Sequence, residues 1–212
     1  MNIVVERLNK IKSNISNSNV NVVAVSKTFP FETIKPLIDQ GHLHFGENKV
    51  QEAEAKWSEH QKTKKKINLH MVGGLQSNKA KKAVELFDYI HSLDNKRLAD
   101  MLSKHENKIN KKLKYFIQVN IGNETQKSGV TENDLNDFYK YCTKEINLNI
   151  IGLMAIPPND VDVEKHFKFL YDKNVSLGLK ELSMGMSADY QKALKFKSTF
   201  LRIGSSIFGE RN

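Results

Sequence analysis

The chain has 212 residues, of which 39% are hydrophobic, 27% charged and 8% aromatic, so it is long enough to bury a hydrophobic core in one large domain or two small ones. Its one cysteine, four prolines and eleven glycines exclude a disulfide-rich scaffold, a collagen and a low-complexity chain. No apolar run reaches the length of a membrane span, and the first ten residues lack a signal-peptide apolar stretch, so we expect a soluble, cytoplasmic protein.

The formal net charge of +9 raises the question of a nucleic-acid partner. Only four of the 33 basic residues are arginines, and the lysines are scattered along the chain. The densest run, Lys62–Lys66, lies between a helix-like and a strand-like segment and is typical of a solvated loop. We therefore expect no specific nucleic-acid partner, only non-specific attraction to polyanions at low salt.

Short apolar runs, several of them rich in β-branched residues, predict eight strands that alternate with amphipathic helices. The predicted strands are Val20–Lys27, His42–Asn48, Ile67–Gly74, Tyr89–Asp94, Tyr115–Gly122, Asn149–Ile156, Glu181–Met186 and Phe200–Phe208. Helices are predicted between them, among others at Lys49–His60, Asn78–Phe87, Lys96–Asn107, Thr131–Thr143 and Val163–Leu177.

This alternation predicts a single (β/α)8 TIM barrel over residues 1–212. A further amphipathic segment, Asn2–Ser16, precedes the first strand and is expected to form an extra helix that closes the bottom or the side of the barrel. A doubly wound open sheet is the alternative fold. It is disfavoured because no Gly-x-Gly-x-x-Gly turn follows the first strand.

Cysteine and histidine give no indication of a metal site. The seven histidines are dispersed along the chain, and no Cys/His cluster has metal-ligand spacing. The lone Cys142 lies in a segment with helical apolar spacing, and we expect it to be a small buried hydrophobic residue.

Lys27 is the first candidate site residue, because function in a barrel lies at the C-terminal ends of the strands. Val23 and Val25 are expected to point into the barrel, and Lys27 lies on the same face of the pleat, at the mouth. An amine that is partly removed from water at such a position is a usable nucleophile.

The last two predicted strands hold the other candidates. Arg202 stands inside an otherwise apolar strand, which is costly unless the side chain is paired or bound. The turns Ser183–Asp189 and Gly204–Ser206 are rich in glycine and serine, and phosphate sites of barrels recur after strands seven and eight. Pyridoxal 5′-phosphate (PLP) has an aldehyde for the lysine, a phosphate for the turns and a ring nitrogen for the arginine. Another phosphorylated carbonyl compound or a sugar phosphate would fit these residues equally well.

Six motifs follow one another along the chain. They are Ala24–Thr28 (AVSKT), Phe45–Glu52 (FGENKVQE), His70–Lys79 (HMVGGLQSNK), Gly152–Pro157 (GLMAIP), Ser183–Asp189 (SMGMSAD) and Arg202–Gly209 (RIGSSIFG). In this order they resemble the signatures of the pyridoxal phosphate homeostasis protein family, whose barrel is similar to the N-terminal domain of bacterial alanine racemase. The resemblance extends from about Val20 to Arg211, nearly the whole chain.

The resemblance implies a set of cofactor-binding residues. Lys27 matches the lysine that forms a Schiff base (an internal aldimine) with PLP, and Asn48 matches the asparagine that lines the cofactor face. The resemblance implies that the phosphate is held by Ser187, Gly204 and Ser205. It also implies that Arg202 faces the pyridine nitrogen.

The resemblance also implies a non-catalytic protein that stores, buffers and delivers PLP, with PLP-dependent apo-enzymes as partners. A low-activity PLP-dependent racemase or transaminase is the alternative. Racemases with this barrel use the lysine and a tyrosine from a second domain on opposite faces of the substrate, and the sequence ends three residues after Gly209, so we expect no such domain and a monomer. Tyr190 is the one tyrosine expected near the mouth. A guanidinium beside the ring nitrogen further weakens the ring as an electron sink.

Overall fold

Eight parallel strands close into a barrel in the computed structural model, which describes residues 2–17, 19–58, 66–122, 128–158 and 162–210. The strands are β1 (Asn21–Val25), β2 (His44–Glu47), β3 (Asn68–Met71), β4 (Tyr89–Leu93), β5 (Lys114–Gln118), β6 (Ile150–Met154), β7 (Glu181–Ser183) and β8 (Phe200–Ile203). Each strand pairs with the next in chain order, and β1 pairs with β8, which places Asn21 opposite Phe200 and closes the ring. The predicted (β/α)8 barrel is confirmed. Residues 62–65 of the lysine-rich run lie outside the described residues.

Helices connect the strands around the outside of the barrel. They are α1 (Ile3–Ser13), α2 (Phe31–Asp39), α3 (Val50–Trp57), α4 (Ala80–Leu86), α5 (Lys96–Ile109), α6 (Leu135–Lys140), α7 (Val163–Ser176), α8 (Tyr190–Lys195) and α9 (Ser205–Phe208). A 3₁₀ turn at Ser77–Lys79 leads into α4, and a π-helical turn at Tyr141–Glu145 continues α6. In the part of the chain that the structure describes, no helix is long and apolar enough to cross a membrane.

The strands carry one apolar layer on each face. Alternate residues of β1 illustrate this, because Val22 and Ala24 belong to the large core between strands and helices, whereas Val23 and Val25 belong to a separate cluster. That second cluster joins side chains from strands on opposite sides of the ring, such as Val23 of β1 and Phe116 of β5, so it fills the barrel interior. The predicted inward orientation of Val23 and Val25 is confirmed.

The extra N-terminal helix covers the side of the barrel. The apolar face of α1 is buried through Val4, Val5, Leu8 and Ile11, and α1 packs against α2 and α9. In the contact with α9, Arg7 Nη1 donates to the Ile207 carbonyl oxygen at 3.5 Å. Of the two positions expected for this helix, the bottom and the side, the structure has the side.

Several strands end earlier than predicted. β1 ends at Val25, so Lys27 lies in the turn that follows rather than in the strand. The predicted strand Phe200–Phe208 ends at Ile203, and its second half is helix α9. A helical turn buries both Ile207 and Phe208, whereas an extended strand would point two consecutive side chains to opposite faces.

Cys142 is fully buried in the π-helical turn, as predicted. Burial, together with the nearby Asp100 carboxylate, raises the pKa of the Cys142 thiol to about 12. The thiol is therefore protonated at neutral pH and acts as a packing residue.

Candidate functional site

A cavity opens at the C-terminal ends of the barrel strands, the face on which ligand sites lie in this fold. Its volume is about 510 Å³, within the range of pockets that hold small molecules and cofactors. Its lining residues are Val25, Lys27, Phe29, Asn48, Val72, Ile156, Met186, Ser187, Ala188, Arg202, Gly204, Ser205, Gly209 and Glu210. All six residues that the sequence suggests for cofactor binding are therefore brought together around one cavity.

Lys27 lies half-buried in the turn between β1 and α2. The turn is tight, because the next residue, Thr28, has a φ of 69°, a left-handed conformation that is uncommon for threonine. Before it, the fully buried Ser26 donates from its backbone nitrogen to the Gly46 carbonyl oxygen at 2.9 Å. The backbone that carries Lys27 is thus fixed to β2.

A buried carboxylate reinforces this attachment. Glu47, at the end of β2, has no exposed surface, and its Oε1 accepts from Ser26 Oγ at 2.7 Å, Lys56 Nζ at 2.8 Å and Trp57 Nε1 at 3.0 Å. Lys56 Nζ also donates to the Ser26 carbonyl oxygen at 2.7 Å. The ion pair therefore holds both the side chain and the backbone of the residue next to Lys27.

Asn48 lines the cavity directly after β2, where the loop that follows β3 packs against it. At Gly73 in that loop, a Cβ atom would lie 2.8 Å from Asn48 Cα and would overlap the Asn48 carbonyl oxygen. The position of Asn48 therefore depends on the absence of a side chain at residue 73.

The turn after β7 meets the start of α9. Gly185 has a φ of 92°, and Asp189 Oδ1 accepts from the Met186 backbone nitrogen at 2.6 Å, which closes the turn. Ser187 Oγ then accepts from the Ser206 backbone nitrogen at 3.2 Å. The two glycine- and serine-rich segments that sequence analysis suggested for a phosphate are therefore in direct contact.

Arg202 is buried in β8 and forms part of the cavity wall. Its Nη1 donates to the Ser183 carbonyl oxygen at 2.8 Å and to Ser183 Oγ at 2.7 Å, and its Nη2 donates to the Ala155 carbonyl oxygen at 2.9 Å. Burial lowers the pKa of Arg202 to about 10, against the opposing effect of the Asp189 charge, so the guanidinium remains charged at neutral pH. These hydrogen bonds offset the cost of burying a charge inside an apolar strand.

Three histidines form a series of hydrogen bonds that begins at Ser183 and runs through the barrel interior. His91 Nδ1 lies 2.8 Å from Ser183 Oγ, His91 Nε2 lies 2.9 Å from His70 Nδ1, and His70 Nε2 lies 2.9 Å from His44 Nδ1. Although these histidines are dispersed along the sequence, the strand register places His44, His70 and His91 side by side. Among the described residues, no group of three His, Cys, Asp or Glu side chains could hold a metal ion.

The rest of the lining includes residues that the sequence analysis did not identify. Phe29, Val72 and Ile156 give the cavity apolar walls, and Glu210 brings a carboxylate to its rim. Phe29 lies in the turn between β1 and α2, and hydrophobic periodicity does not predict the neighbours of a residue in a turn. Tyr190, the tyrosine expected near the mouth, is not among the lining residues, because it begins α8 and packs against the hydrophobic core.

Comparisons of sequence give a consistent set of relatives. Residues 3–212 match the family described as alanine racemase, N-terminal domain. The chain is 36% identical to the pyridoxal phosphate homeostasis protein of Vibrio alginolyticus, over 97% of this chain and 93% of the relative. It is 35% identical to the protein of the same name from Aquifex aeolicus, over 98% and 95% of the two chains.

Comparisons of structure agree. The fold matches that of PipY from Synechococcus elongatus, solved with PLP bound, with a TM-score of 0.89 and 34% identity over 97% of this chain and all of that one. It also matches alanine racemase of Clostridium difficile with a TM-score of 0.78, at 13% identity, over 57% of the racemase. The second match shows similarity of fold alone.

Proposed function

The chain belongs to the pyridoxal phosphate homeostasis proteins, and on that premise we propose that it binds PLP in the cavity at the top of the barrel and stores, buffers and delivers this cofactor. One observation carries the proposal. The fold brings an amine, a buried guanidinium and a serine-rich turn from distant parts of the sequence around one cavity of cofactor size. The relatives' names and the PLP bound to PipY support the same ligand.

The residues present fit the three functional parts of PLP. The apolar walls formed by Val25 and Val72 suit the faces of a pyridine ring. A guanidinium has five N–H donors, and in the described residues Arg202 donates to three oxygen atoms, which leaves donors for a ring nitrogen. The hydroxyl groups of Ser187, in the turn after β7, and of Ser205, the first residue of α9, suit a phosphate.

Lys27 is the residue that we propose for covalent attachment. When bound, the cofactor supplies an aldehyde carbon that reacts with primary amines. Lys27 is the lysine among the cavity-lining residues of the described chain, and the buried Ser26 holds its backbone in place. We therefore propose that Lys27 Nζ would bond to this carbon, with the aldehyde oxygen leaving as water, and that Asn48, Ser187, Arg202, Gly204 and Ser205 would hold the rest of the molecule.

Borohydride reduction of the PLP-loaded protein tests this proposal. We expect absorbance in the visible range after incubation with PLP, and peptide mapping after reduction should place the label on Lys27. The variant Lys27→Ala should lose the label, whereas Lys49→Ala should retain it, because Lys49 is exposed and pairs with Glu52 at 2.8 Å. A label on Lys49 or Lys79, or no uptake of PLP by the wild type, contradicts the proposal.

The acid–base groups of the cavity favour a carrier over an enzyme. Racemisation requires proton transfer on both faces of a substrate carbon, and no tyrosine lines the cavity among the described residues. Arg202, as a cation, disfavours protonation of a ring nitrogen beside it and so weakens the ring as an electron sink. We therefore propose a non-catalytic role, in which PLP-dependent apo-enzymes are the recipients.

A further inference from the structure

A continuous chain of hydrogen bonds crosses the barrel interior and ends at Arg202. It joins His44 of β2, His70 of β3, His91 of β4 and Ser183 of β7, and each link is between 2.7 and 2.9 Å long. His70, His91 and Ser183 have no exposed surface. The link between His91 and Ser183 spans strands that are not neighbours in the sheet, so it crosses the interior of the barrel.

Arg202 determines which atom donates in each hydrogen bond of this series. A guanidinium can only donate, so Ser183 Oγ accepts from Arg202 and has its own proton left to donate. His91 Nδ1 is the acceptor of that proton, and a neutral His91 then carries its own proton on Nε2. The same reasoning places a proton on His70 Nε2, which is donated to His44 Nδ1. In the reverse orientation, no described residue would accept the Ser183 proton.

The surroundings keep the three rings neutral. Burial first, and then the charge of Arg202, holds the pKa of His91 well below its ordinary value. Burial also holds the pKa of His70 well below its ordinary value, and burial with the charges of Lys114 and Lys12 lowers that of His44 to about 4. The electrostatic effect of His42 also lowers the pKa of His70. The Tyr89 ring is stacked on the His70 ring, with 4.2 Å between their centroids. Cations at both ends thus make a protonated histidine unfavourable.

We propose that Ser183 and His91 are positioning residues for Arg202, and that the histidine chain keeps the Ser183 hydroxyl turned to accept from the guanidinium. The inference rests on the proposed function, in which Arg202 faces the ring nitrogen of PLP. It adds to that function a basis for ligand selectivity. A guanidinium held in one orientation favours a heteroaromatic ligand whose edge atom accepts a hydrogen bond, over an analogue with a C–H group at that place.

Nitrogen NMR of the histidine side chains tests the direction of the chain without any ligand. In the cofactor-free wild type at pH 7, we expect His44, His70 and His91 to be neutral and protonated on Nε2. A proton on Nδ1 of His70 or His91 overturns the inference. Because PLP is not present, this result does not depend on the proposed function.

Ligand binding tests the positioning role. The probes are PLP and 1-deazapyridoxal 5′-phosphate, in which a C–H group replaces the ring nitrogen. We expect the wild type to prefer PLP by about tenfold or more, as for loss of one charge-assisted hydrogen bond. Ser183→Ala and His91→Phe should reduce this preference to less than about threefold, while affinity for the deaza analogue stays nearly constant.

Two further variants separate positioning from general damage to the fold. His91→Asn places an amide oxygen near the position of Nδ1 and should restore much of the preference for PLP. Ser92→Ala is the matched control, because Ser92 is a buried neighbour on β4 whose hydroxyl has no hydrogen-bond partner in the described residues, and it should behave as the wild type. Equal weakening of both ligands by His91→Phe, or a full preference retained by both variants, overturns the inference. Failure of the wild type to bind either ligand contradicts the proposed function instead.

Discussion

Glu47 and Lys56 form an ion pair that is removed from water beside the proposed site. The side chain of Glu47 has no exposed surface and that of Lys56 is 10% exposed, with 2.8 Å between Oε1 and Nζ. Breaking such a pair by removing one partner leaves a buried charge without compensation. The same lysine donates to the Ser26 backbone, so the pair links the stability of the barrel to the position of Lys27.

The substitution Lys56→Met tests this link. It leaves the Glu47 carboxylate buried without its cation, and we expect the free energy of unfolding to fall by about 3 kcal/mol. Urea denaturation monitored by circular dichroism measures this change. Lys35→Met is the matched control, because Lys35 pairs with Asp39 at 2.7 Å but on the surface, and it should have little effect. Equal losses in the two variants would contradict the buried pair's role.

Single residues differ in how far the sequence could predict their role. Arg202 and Lys27 could be identified because a charge in or beside an apolar strand is costly, and both do line the cavity. The role of Glu47 could not be identified, because its partners come from the next helix and from Ser26, which follows β1. The histidine chain was missed for a related reason. Contacts between strands depend on the register and stagger of the barrel, which the spacing of residues along one strand does not contain.

At the scale of elements, the loops after β2 and β3 are packed as a pair. The loop after β3 approaches Asn48 so closely that only glycine fits at residue 73, whereas nothing lies within 4 Å of a Cβ placed on the neighbouring Gly74. The two adjacent glycines therefore have different roles. Gly73 permits a close approach of backbones, and Gly74 is exposed.

The pair of variants Gly73→Ala and Gly74→Ala tests this packing. We expect Gly73→Ala to displace Asn48, to lower the free energy of unfolding by about 1–3 kcal/mol and to weaken PLP binding. Gly74→Ala should leave both quantities near those of the wild type. Calorimetric titration with PLP and urea denaturation measure the two effects. Tight PLP binding by Gly73→Ala would show that Asn48 is not needed in its present position.

The elements themselves were largely predictable, and their ends were not. Eight apolar runs at regular spacing predicted the eight strands, because each strand of a closed parallel barrel is covered on both faces. The apolar run from Phe200 to Phe208 predicts one strand, but its second half forms α9. Short apolar segments do not distinguish strand from helix, and here burial against α1 and Phe29 decides the outcome.

At the scale of the whole molecule, the buried neutral histidines make the free energy of unfolding decrease as the pH falls. Burial, followed by the charges of Lys12 and His44, lowers the pKa of His42 to about 3, and that of His44 is lowered to about 4. An unfolded histidine takes up a proton near pH 6.5, whereas these two stay neutral in the folded protein. Their contribution to stability is therefore complete above about pH 6.5 and is lost as the pH falls towards about 4 and 3.

Replacement of His42 measures one part of this dependence. His42 Nε2 is buried without a hydrogen-bond partner among the described residues, and the ring packs edge-on against Phe45 at 5.1 Å. In His42→Phe, we expect the loss of unfolding free energy between pH 6 and pH 4 to be smaller by up to about 1.4 kcal/mol per pH unit. Urea denaturation at a series of pH values gives the slopes. An unchanged slope would mean that His42 is protonated in the folded protein.

The PLP-loaded protein should not convert amino acids at an enzymatic rate. Loss of one of two acid–base groups typically costs about 10²–10⁴-fold, and the one carboxylate that lines the cavity among the described residues, Glu210, is exposed at the rim. Incubation with L- and D-alanine, followed by chiral and keto-acid analysis, measures turnover. A rate near about 10 s⁻¹, the median for enzymes, would contradict the carrier role. Loss of that turnover in Glu210→Gln would then identify Glu210 as the second base.

The pairing of β1 with β8 has a consequence for biosynthesis. Lys27 and Arg202 line the same cavity, but their synthesis is separated by roughly 9 to 35 s at about 5–20 residues per second. Until β8 has left the ribosome, β1 lacks one neighbour, and the wall that Arg202, Gly204 and Ser205 provide does not exist. On the proposed function, a nascent chain exposes Lys27 without the residues that would hold the cofactor, so specific loading would have to follow the synthesis and pairing of β8.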